Sequence, residues 1–363
     1  MIFNEAQIAC LEAKENKIIV NASAGTGKTT VLVEAARRAI ENKEKVVLIT
    51  LTRDAAAQME EKLSYRADFT GTIHGFALRE IHKISEKYIF KNKIMTSEEV
   101  KEALIQALMK IDGSIKRGYK EEITKLLRYM NSGYYDDKKE LQRFFKILKE
   151  YDSVKRRYNL YDFNDTPEYL LELMKRFNWK LDYDAFYVDE VQDIDKYEFE
   201  LIKKVEGRVF LIGDPKQSIY LFRNSVEDIF DKFEDLGYYV YILIENYRSY
   251  QEILDFAEAD LEAIRGCGGV ITDERLLLED INTQILCRTN MEVEILSQYY
   301  PNVSTVHAFK GLEADDVVVV EFIASSIESK NVKFVALTRA RNRLGVTSLQ
   351  RLLKLKGELN GKV

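Results

Sequence analysis

Short apolar runs alternate along this chain with stretches in which apolar residues recur every three to four positions. Ile18-Ile19-Val20, Val46-Val47-Leu48-Ile49-Thr50-Leu51 and the segments 185–188, 208–212 and 239–244 are rich in β-branched and aromatic side chains and predict buried strands. Helical spacing begins at Val31-Leu32-Val33-Glu34-Ala35-Ala36 and resumes through Met59 and Leu63, so the opening order is that of an α/β layer. The pattern then changes. Leu104, Leu108 and Ile111, then Ile123, Leu126, Leu127 and Met130, then Leu141, Phe144, Phe145 and Leu148 are all at helical spacing, and Thr96 with Glu99 forms a capping-box signal at the start of this region. The α/β alternation returns later, with a helix expected at 249–264, strands at 283–287, 303–306 and 317–322, a helix ending near 299, and a helix carrying Val335-Ala336-Leu337-Thr338-Arg339. Arg265-Gly266-Cys267-Gly268-Gly269 reads as a flexible joint.

The length of 363 residues exceeds the roughly 250–300 at which a single core stops growing. The expected division is a first α/β domain from 1–90 and 156–240, a helical insertion at 91–155, and a second α/β domain at 241–363. A chain with 46% hydrophobic and 31% charged residues, with no run long enough for a transmembrane helix and no signal-peptide pattern at Met1-Ile2-Phe3-Asn4-Glu5, is expected in the cytoplasm with no membrane partner. Cys10, Cys267 and Cys287 lie far apart, and His74, His82 and His307 form no metal-ligand spacing, which argues against zinc or iron–sulfur chemistry. The net charge of −6 gives no global attraction to nucleic acid, but residues 116–157 hold thirteen Lys/Arg against seven Asp/Glu, 13 − 7 = +6. That region reads either as solvated helix faces or as a basic subdomain that touches a phosphate backbone.

The candidate chemistry begins at Ala22-Ser23-Ala24-Gly25-Thr26-Gly27-Lys28-Thr29, between the first expected strand and helix. Small residues there let backbone N–H groups turn onto phosphate oxygens at a helix N-terminus, Lys28 can reach the outer phosphates, and Thr29 can ligate Mg²⁺. A plain linker between strand and helix has a similar composition, so a second motif has to decide. Phe186-Tyr187-Val188-Asp189-Glu190-Val191-Gln192-Asp193 supplies it: a buried strand ends in paired carboxylates, Asp189 placed to hold Mg²⁺ and Glu190 placed to deprotonate water.

Further polar segments follow expected strands: Thr50-Leu51-Thr52-Arg53, Gly71-Thr72-Ile73-His74, Gly213-Asp214-Pro215-Lys216-Gln217-Ser218-Ile219-Tyr220, Glu245-Asn246-Tyr247-Arg248-Ser249, His307-Ala308-Phe309-Lys310-Gly311-Leu312-Glu313 and Ala336-Leu337-Thr338-Arg339-Ala340-Arg341. In this order, with the two motifs above, the set resembles the UvrD/Rep-like branch of superfamily 1 DNA helicases, from Asn4-Glu5-Ala6-Gln7 to about Leu344. The resemblance implies an α/β fold of two RecA-like P-loop motor domains with parallel sheets and a small helical insertion in the first. It implies ATP with Mg²⁺, the metal on Thr29 and Asp189. Gln7 would read the adenine edge, Tyr247 would stack on it, Glu313 would take a ribose hydroxyl, and Ala24, Gly25, Thr26, Gly27, Lys28, Thr29, Thr30 and Gly311 would complete the nucleotide site. Lys28, Asp189, Glu190 and Gln217, with Arg248 and Arg339 as arginine fingers, would carry catalysis.

The single-strand track implied is Thr52, His74, Tyr220, Phe222, Arg223, Arg288 and His307, with Phe222 stacking a base; taken alone Phe222 reads better as a core aromatic, and the intact motif Gln217 through Arg223 turns that preference toward stacking. Thr30 and Leu51 depart from the family pattern, where an arginine and an aromatic are frequent. Arg288 and Val303 are separated by about fourteen residues, where larger relatives insert an accessory domain, and about twenty residues follow the last motif, too few for a fused nuclease. The expected function is an ATP-dependent motor on single-stranded DNA and single-strand/duplex junctions, moving 3′ to 5′, with a protein partner for loading or processivity. The alternative in the same class is the motor subunit of a repair, recombination or phage-defence complex. An ATP-gated binding module and a small-molecule kinase leave Glu190, Gln217 and the two finger arginines without a purpose.

Overall fold

The computed structural model describes residues 2–114, 117–132, 138–219, 225–271, 277–278 and 280–360. Its first sheet is built from β1 (Lys17–Ala22), β2 (Val46–Ile49), β3 (Phe69–Gly71), β4 (Ala185–Val188), β5 (Arg208–Gly213) and β6 (Tyr239–Leu243), in the spatial order β3-β2-β4-β5-β1-β6. Every pairing is parallel, as in Ile18↔Phe210, Val46↔Ala185 and Ile18↔Tyr239. Continuous apolar strands suit a sheet covered on both faces. Ile19, Val47, Ile49, Phe186, Val188, Val209 and Leu211 pack on one side, and Ile18, Val20, Val46, Leu48, Tyr187, Phe210 and Ile212 on the other.

The covering helices are α1 (Glu5–Leu11), α2 (Lys28–Glu41), α3 (Arg53–Leu63) and α4 (Ile73–Tyr88), and later α8 (Thr166–Phe177), α9 (Lys196–Ile202) and α10 (Ile229–Asp235). Between α4 and α8 lie α5 (Ser97–Asp112), α6 (Tyr119–Ser132) and α7 (Lys138–Tyr158), with their own core around Leu104, Leu126, Phe144, Ile147 and Tyr151. The capping box at Thr96 and Glu99 is formed. Lys155 docks this layer onto the sheet: its ammonium donates to Asp162 at 2.9 Å and Asp165 at 2.7 Å in the turn leading to α8.

The second sheet is also parallel, in the order β11-β10-β12-β13-β9, with β9 (Val270–Ile271), β10 (Gln284–Cys287), β11 (Val303–Thr305), β12 (Ala314–Val320) and β13 (Ala340–Thr347). The helices α11 (Gln251–Phe256), α12 (Asn290–Leu296), α13 (Ile327–Leu337) and α14 (Leu349–Asn360) accompany it. The connection from β10 to the neighbouring β11 holds only α12. The α/β fold with two parallel sheets is therefore the one expected.

Two local expectations change. The helix expected at 249–264 stops at Phe256, because Glu258 adopts a left-handed backbone with φ 54° and the Ala259 N–H turns back to the Leu254 carbonyl at 2.9 Å. A two-strand ribbon follows, β7 (Glu245–Asn246) pairing with β8 (Glu262–Ala263). The glycine-rich segment is a pinned turn instead of a loose joint. Arg265 donates to the carbonyls of Arg248 at 2.8 Å and Arg341 at 2.9 Å, its guanidinium lies 4.0 Å from the Tyr250 ring centroid, and the Gly268 and Gly269 N–H groups both bind Glu252. The chain leaves the first sheet at Leu243, and a single residue, Ile244, separates β6 from β7.

Candidate active site

The turn between β1 and α2 sits at the carboxyl end of a central strand, the edge where open α/β sheets bind ligands. Gly25 and Gly27 have φ of 72° and 83°, a region that costs other residues, and Gly27 caps α2, so the helix dipole faces the loop. Space also requires glycine at 25: a Cβ there would lie 2.5 Å from Asn246 Nδ2 and 2.7 Å from Arg248 Cβ. Thr26 closes the loop on the Ser23 carbonyl, to which Lys28 Nζ also donates at 3.2 Å. Gln7 braces the loop from α1: its amide nitrogen donates to the Thr26 carbonyl at 3.0 Å, while its amide oxygen accepts from the Asn4 N–H at 3.1 Å.

Across the loop stand the carboxylates that follow β4. Thr29 Oγ1 donates to Asp189 Oδ2 at 3.2 Å, so the two groups expected to share a metal converge from different elements. A hydroxyl beside a single carboxylate, with room for phosphate oxygens and water, fits Mg²⁺, which keeps much of its hydration. Among the described residues no cluster of three or more His, Cys, Asp or Glu forms a dedicated metal cage. Burial, followed by the adjacent Glu190 charge, pushes the Asp189 carboxyl above the usual carboxylate range. Burial acts upward on Glu190 too, but Lys310 and Lys28 hold it below the usual range. Burial pulls the Lys28 ammonium down, opposed by Glu190, Asp214 and Asp189.

A cleft of about 470 Å³ runs from this loop to the second sheet. Lys28, Thr29, Thr30, Asp189, Glu190 and Gln217 line it from one side and Tyr247, Arg248, Gly311, Glu313 and Arg339 from the other. Arg339, just beyond α13, is buried; its guanidinium donates to the Val335 carbonyl at 3.0 Å, the Leu312 carbonyl at 3.2 Å and Gln217 Oε1 at 3.1 Å. Burial and the neighbouring Arg248 push it down to about 9. Gln217 in turn donates to Asp214 at 2.8 Å. Arg248 is paired with Glu313 at 2.5 Å and donates to the Thr338 carbonyl at 3.3 Å. Glu313, expected at a ribose, is thus engaged by Arg248, with Arg341 3.6 Å away. The Tyr247 hydroxyl donates to Glu245 at 3.0 Å, and its backbone N–H to the Gly25 carbonyl at 2.9 Å.

The residues expected on DNA divide into groups. Thr52 caps α3 and lines the nucleotide cleft. His74 opens on a second cavity of about 310 Å³, lined also by Leu51, Thr72, Tyr129, Asn164 and Glu198; its ring stacks on Phe163 with centroids 5.7 Å apart and its Nδ1 lies 3.3 Å from Glu198. Arg288 and His307 are neighbours, Nη1 to Nε2 3.5 Å, although nineteen positions separate them. Tyr220, Phe222 and Arg223 fall outside the described residues.

Three residues to which the sequence assigned no role hold this site together. Buried Asn246 donates to the Ala24 carbonyl at 2.5 Å and accepts from the N–H groups of Arg248 and Ser249 at 2.9 and 2.7 Å. Lys310 pairs with buried Asp193. All three lie inside the quoted motifs, and the signal that could have found them is a polar side chain close in sequence to an expected arginine finger, ribose ligand or catalytic carboxylate.

A family model described as the UvrD/REP helicase N-terminal domain matches residues 3–236, and one described as the viral superfamily 1 RNA helicase core domain matches 142–348. The chain is 26% identical over 293 residues to a probable DNA helicase II homolog of Mycoplasma capricolum, covering 71% of this chain and 40% of that protein. It is 24% identical over 285 residues to the ATP-dependent DNA helicase PcrA of Staphylococcus epidermidis, covering 70% and 39%. Its identity to the Gabija protein GajB of Bacillus cereus is 27% over 261 residues, covering 68% and 47%. The chain thus spans less than half the length of each of these three relatives.

Proposed function

The chain belongs to the UvrD/Rep helicase family, and we propose that it is an ATP-driven motor that moves 3′ to 5′ along single-stranded DNA and separates strands at a junction. One observation carries the reading: the phosphate loop and catalytic carboxylates of the first sheet face Arg248 and Arg339 of the second across one cleft. In this reading 1–90 and 156–243 form the first motor lobe, 91–155 its helical insertion and 244–363 the second lobe; the boundary expected at 240 moves to Leu243 because β6 pairs with β1 through that residue.

Bound ATP with Mg²⁺ supplies the phosphoanhydride bond whose cleavage drives the motor. The loop N–H groups and Lys28 bind the phosphates, and Thr29 with Asp189 holds the metal. Glu190 accepts the proton of the attacking water, a task worth about 10²–10⁴ in rate. Arg248 and Arg339 offset charge that develops at the outer phosphate; such fingers are worth about 10³–10⁵. Arg248 leaves Glu313 to do so, which frees that carboxylate for the ribose. His74 and its cavity, Arg288, His307 and the segment Tyr220–Arg223 form the strand track, and Thr52 links the track to the nucleotide cleft.

ATPase measured with and without single-stranded DNA, beside strand displacement on 3′-tailed, 5′-tailed and blunt duplexes, tests the reading. Stimulation by single strands and displacement from 3′ tails are expected. Lys28→Ala should lose nucleotide affinity, whereas Glu190→Gln should retain ATP and lose at least about 10²-fold in turnover. Turnover of Glu190→Gln within tenfold of wild type removes it as the base. A second reading, a motor subunit of a phage-defence complex that displaces proteins, is favoured by the similarity to GajB. Strong single-strand-stimulated ATPase without displacement from any tail selects it.

A further inference from the structure

Lys310 follows β11 in the second sheet unit, yet its ammonium reaches the acidic turn after β4 in the first. Its side chain is 5% exposed and that of its partner Asp193 is 0% exposed. The same ammonium donates to the Gln217 carbonyl at 2.8 Å and lies 3.6 Å from Glu190 Oε2. Glu190 Oε2 also accepts from Gln192 Nε2, and Gln192 Oε1 accepts the Asp214 N–H at 3.0 Å, so Gln192 is fixed from the sheet itself. Both interactions fall on one carboxylate oxygen. Among the described residues Oε1 carries no hydrogen bond, which leaves it to accept from water. Glu190 has φ 54°, a strained setting for a non-glycine residue that the surroundings must hold in place.

We infer that Lys310 is a positioning residue that makes the aim of Glu190 depend on closure of the cleft: anchored on Asp193 and the Gln217 carbonyl, it fixes Oε2 and turns Oε1 toward the attacking water. When the two sheet units separate, Lys310 leaves with the second, Glu190 keeps the Gln192 hydrogen bond and the more distant Lys28 charge but loses its second contact on Oε2, and Asp193 loses its buried counter-charge. Hydrolysis is thereby confined to the closed arrangement. Removing one partner of a buried pair is costly, so opening and closing become two discrete states. This inference rests on the ATPase reading above.

The test uses Lys310→Met, Lys310→Arg, Asp193→Asn and the Lys310→Met/Asp193→Asn double variant. In Lys310→Met the DNA-stimulated kcat should fall at least about tenfold, part of the general-base effect, while the Kd of a fluorescent ATP analogue changes less than about threefold. Lys310→Arg should recover most of the rate, and the double variant should be no worse than the poorer single one. A readout without nucleotide is the distance distribution between dyes on Cys267, which is exposed while Cys10 and Cys287 are buried, and on Glu61→Cys. It should broaden in Lys310→Met. Equal losses of affinity and kcat, additive effects of the two single changes, or an unchanged distance distribution would each overturn the inference. Wild-type protein without ATPase defeats the functional reading instead, and the distance measurement then decides on the brace alone. If Lys310→Met does not fold, Lys310→Arg and Asp193→Asn carry the same comparison.

Discussion

At Gly25 a single missing Cβ lets Asn246 and Arg248 lie directly on the phosphate loop, so the identity of one residue decides whether the second sheet can reach the first. Burial decides reactivity in the same local way. The thiols of Cys10 and Cys287 are pushed up to about 12 by burial, whereas Cys267 is exposed. A raised thiol pKa lowers the thiolate fraction, so at pH 8 a disulfide reagent should modify one cysteine quickly in the native protein and all three after unfolding. Two fast-reacting thiols in the native state would contradict this burial. The phosphate-loop residues and the Asp189–Glu190 pair were legible in sequence because local backbone geometry demands small residues there, and a strand end displays its carboxylates. Asn246, Asp193 and Lys310 were not, since their roles arise from partners 222 and 117 positions away.

Elements were legible where apolar runs are continuous. β4 matches its expected bounds, whereas β13 was missed, because Arg341, Asn342 and Arg343 break its run and Arg343 is compensated only in space, by Asp316 at 2.7 Å. The basic helical layer changes most on inspection. Arg143 on α7 donates to Asp112 on α5 at 2.7 Å and is also paired with Glu122 on α6, so it joins three helices instead of facing a backbone phosphate. The side chains of Lys138 and Lys139 fall outside the described residues. Lys146 and Lys149 on the same helix are exposed and make no ion pair among the described residues. Arg143→Met should therefore cost about 1 kcal/mol, roughly 2 °C in Tm, and leave the salt dependence of DNA binding unchanged. Lys146→Glu with Lys149→Glu should do the opposite, holding Tm while reducing the salt slope by about one for each phosphate no longer neutralised. Calorimetry and binding titrations over a range of salt check both halves. An unchanged slope for the double reversal assigns that face to solvent.

For the whole molecule, the two parallel sheets were legible as repeated strand and helix alternation, but the place where the chain passes between them was not, because glycines drew attention to 265–269. That turn is tied down by Arg265 and Glu252, and the passage lies at Ile244. The consequence is mechanical. β6 is bonded along its length to β1, and three residues after its end Asn246 grips the Ala24 carbonyl, so the connection has no slack. A taut tether converts a small rotation at the phosphate loop into displacement of the partner lobe and carries load in return, whereas a loose one would let each side relax separately. Inserting two glycines after Ile244 should leave the ATPase of the isolated motor within about threefold while the movement along DNA per ATP hydrolysed falls far more, since catalysis needs proximity and transport needs tension. Single-molecule translocation measured beside ATP turnover separates the two quantities. Equal losses in both would mean that force leaves the first lobe by another route.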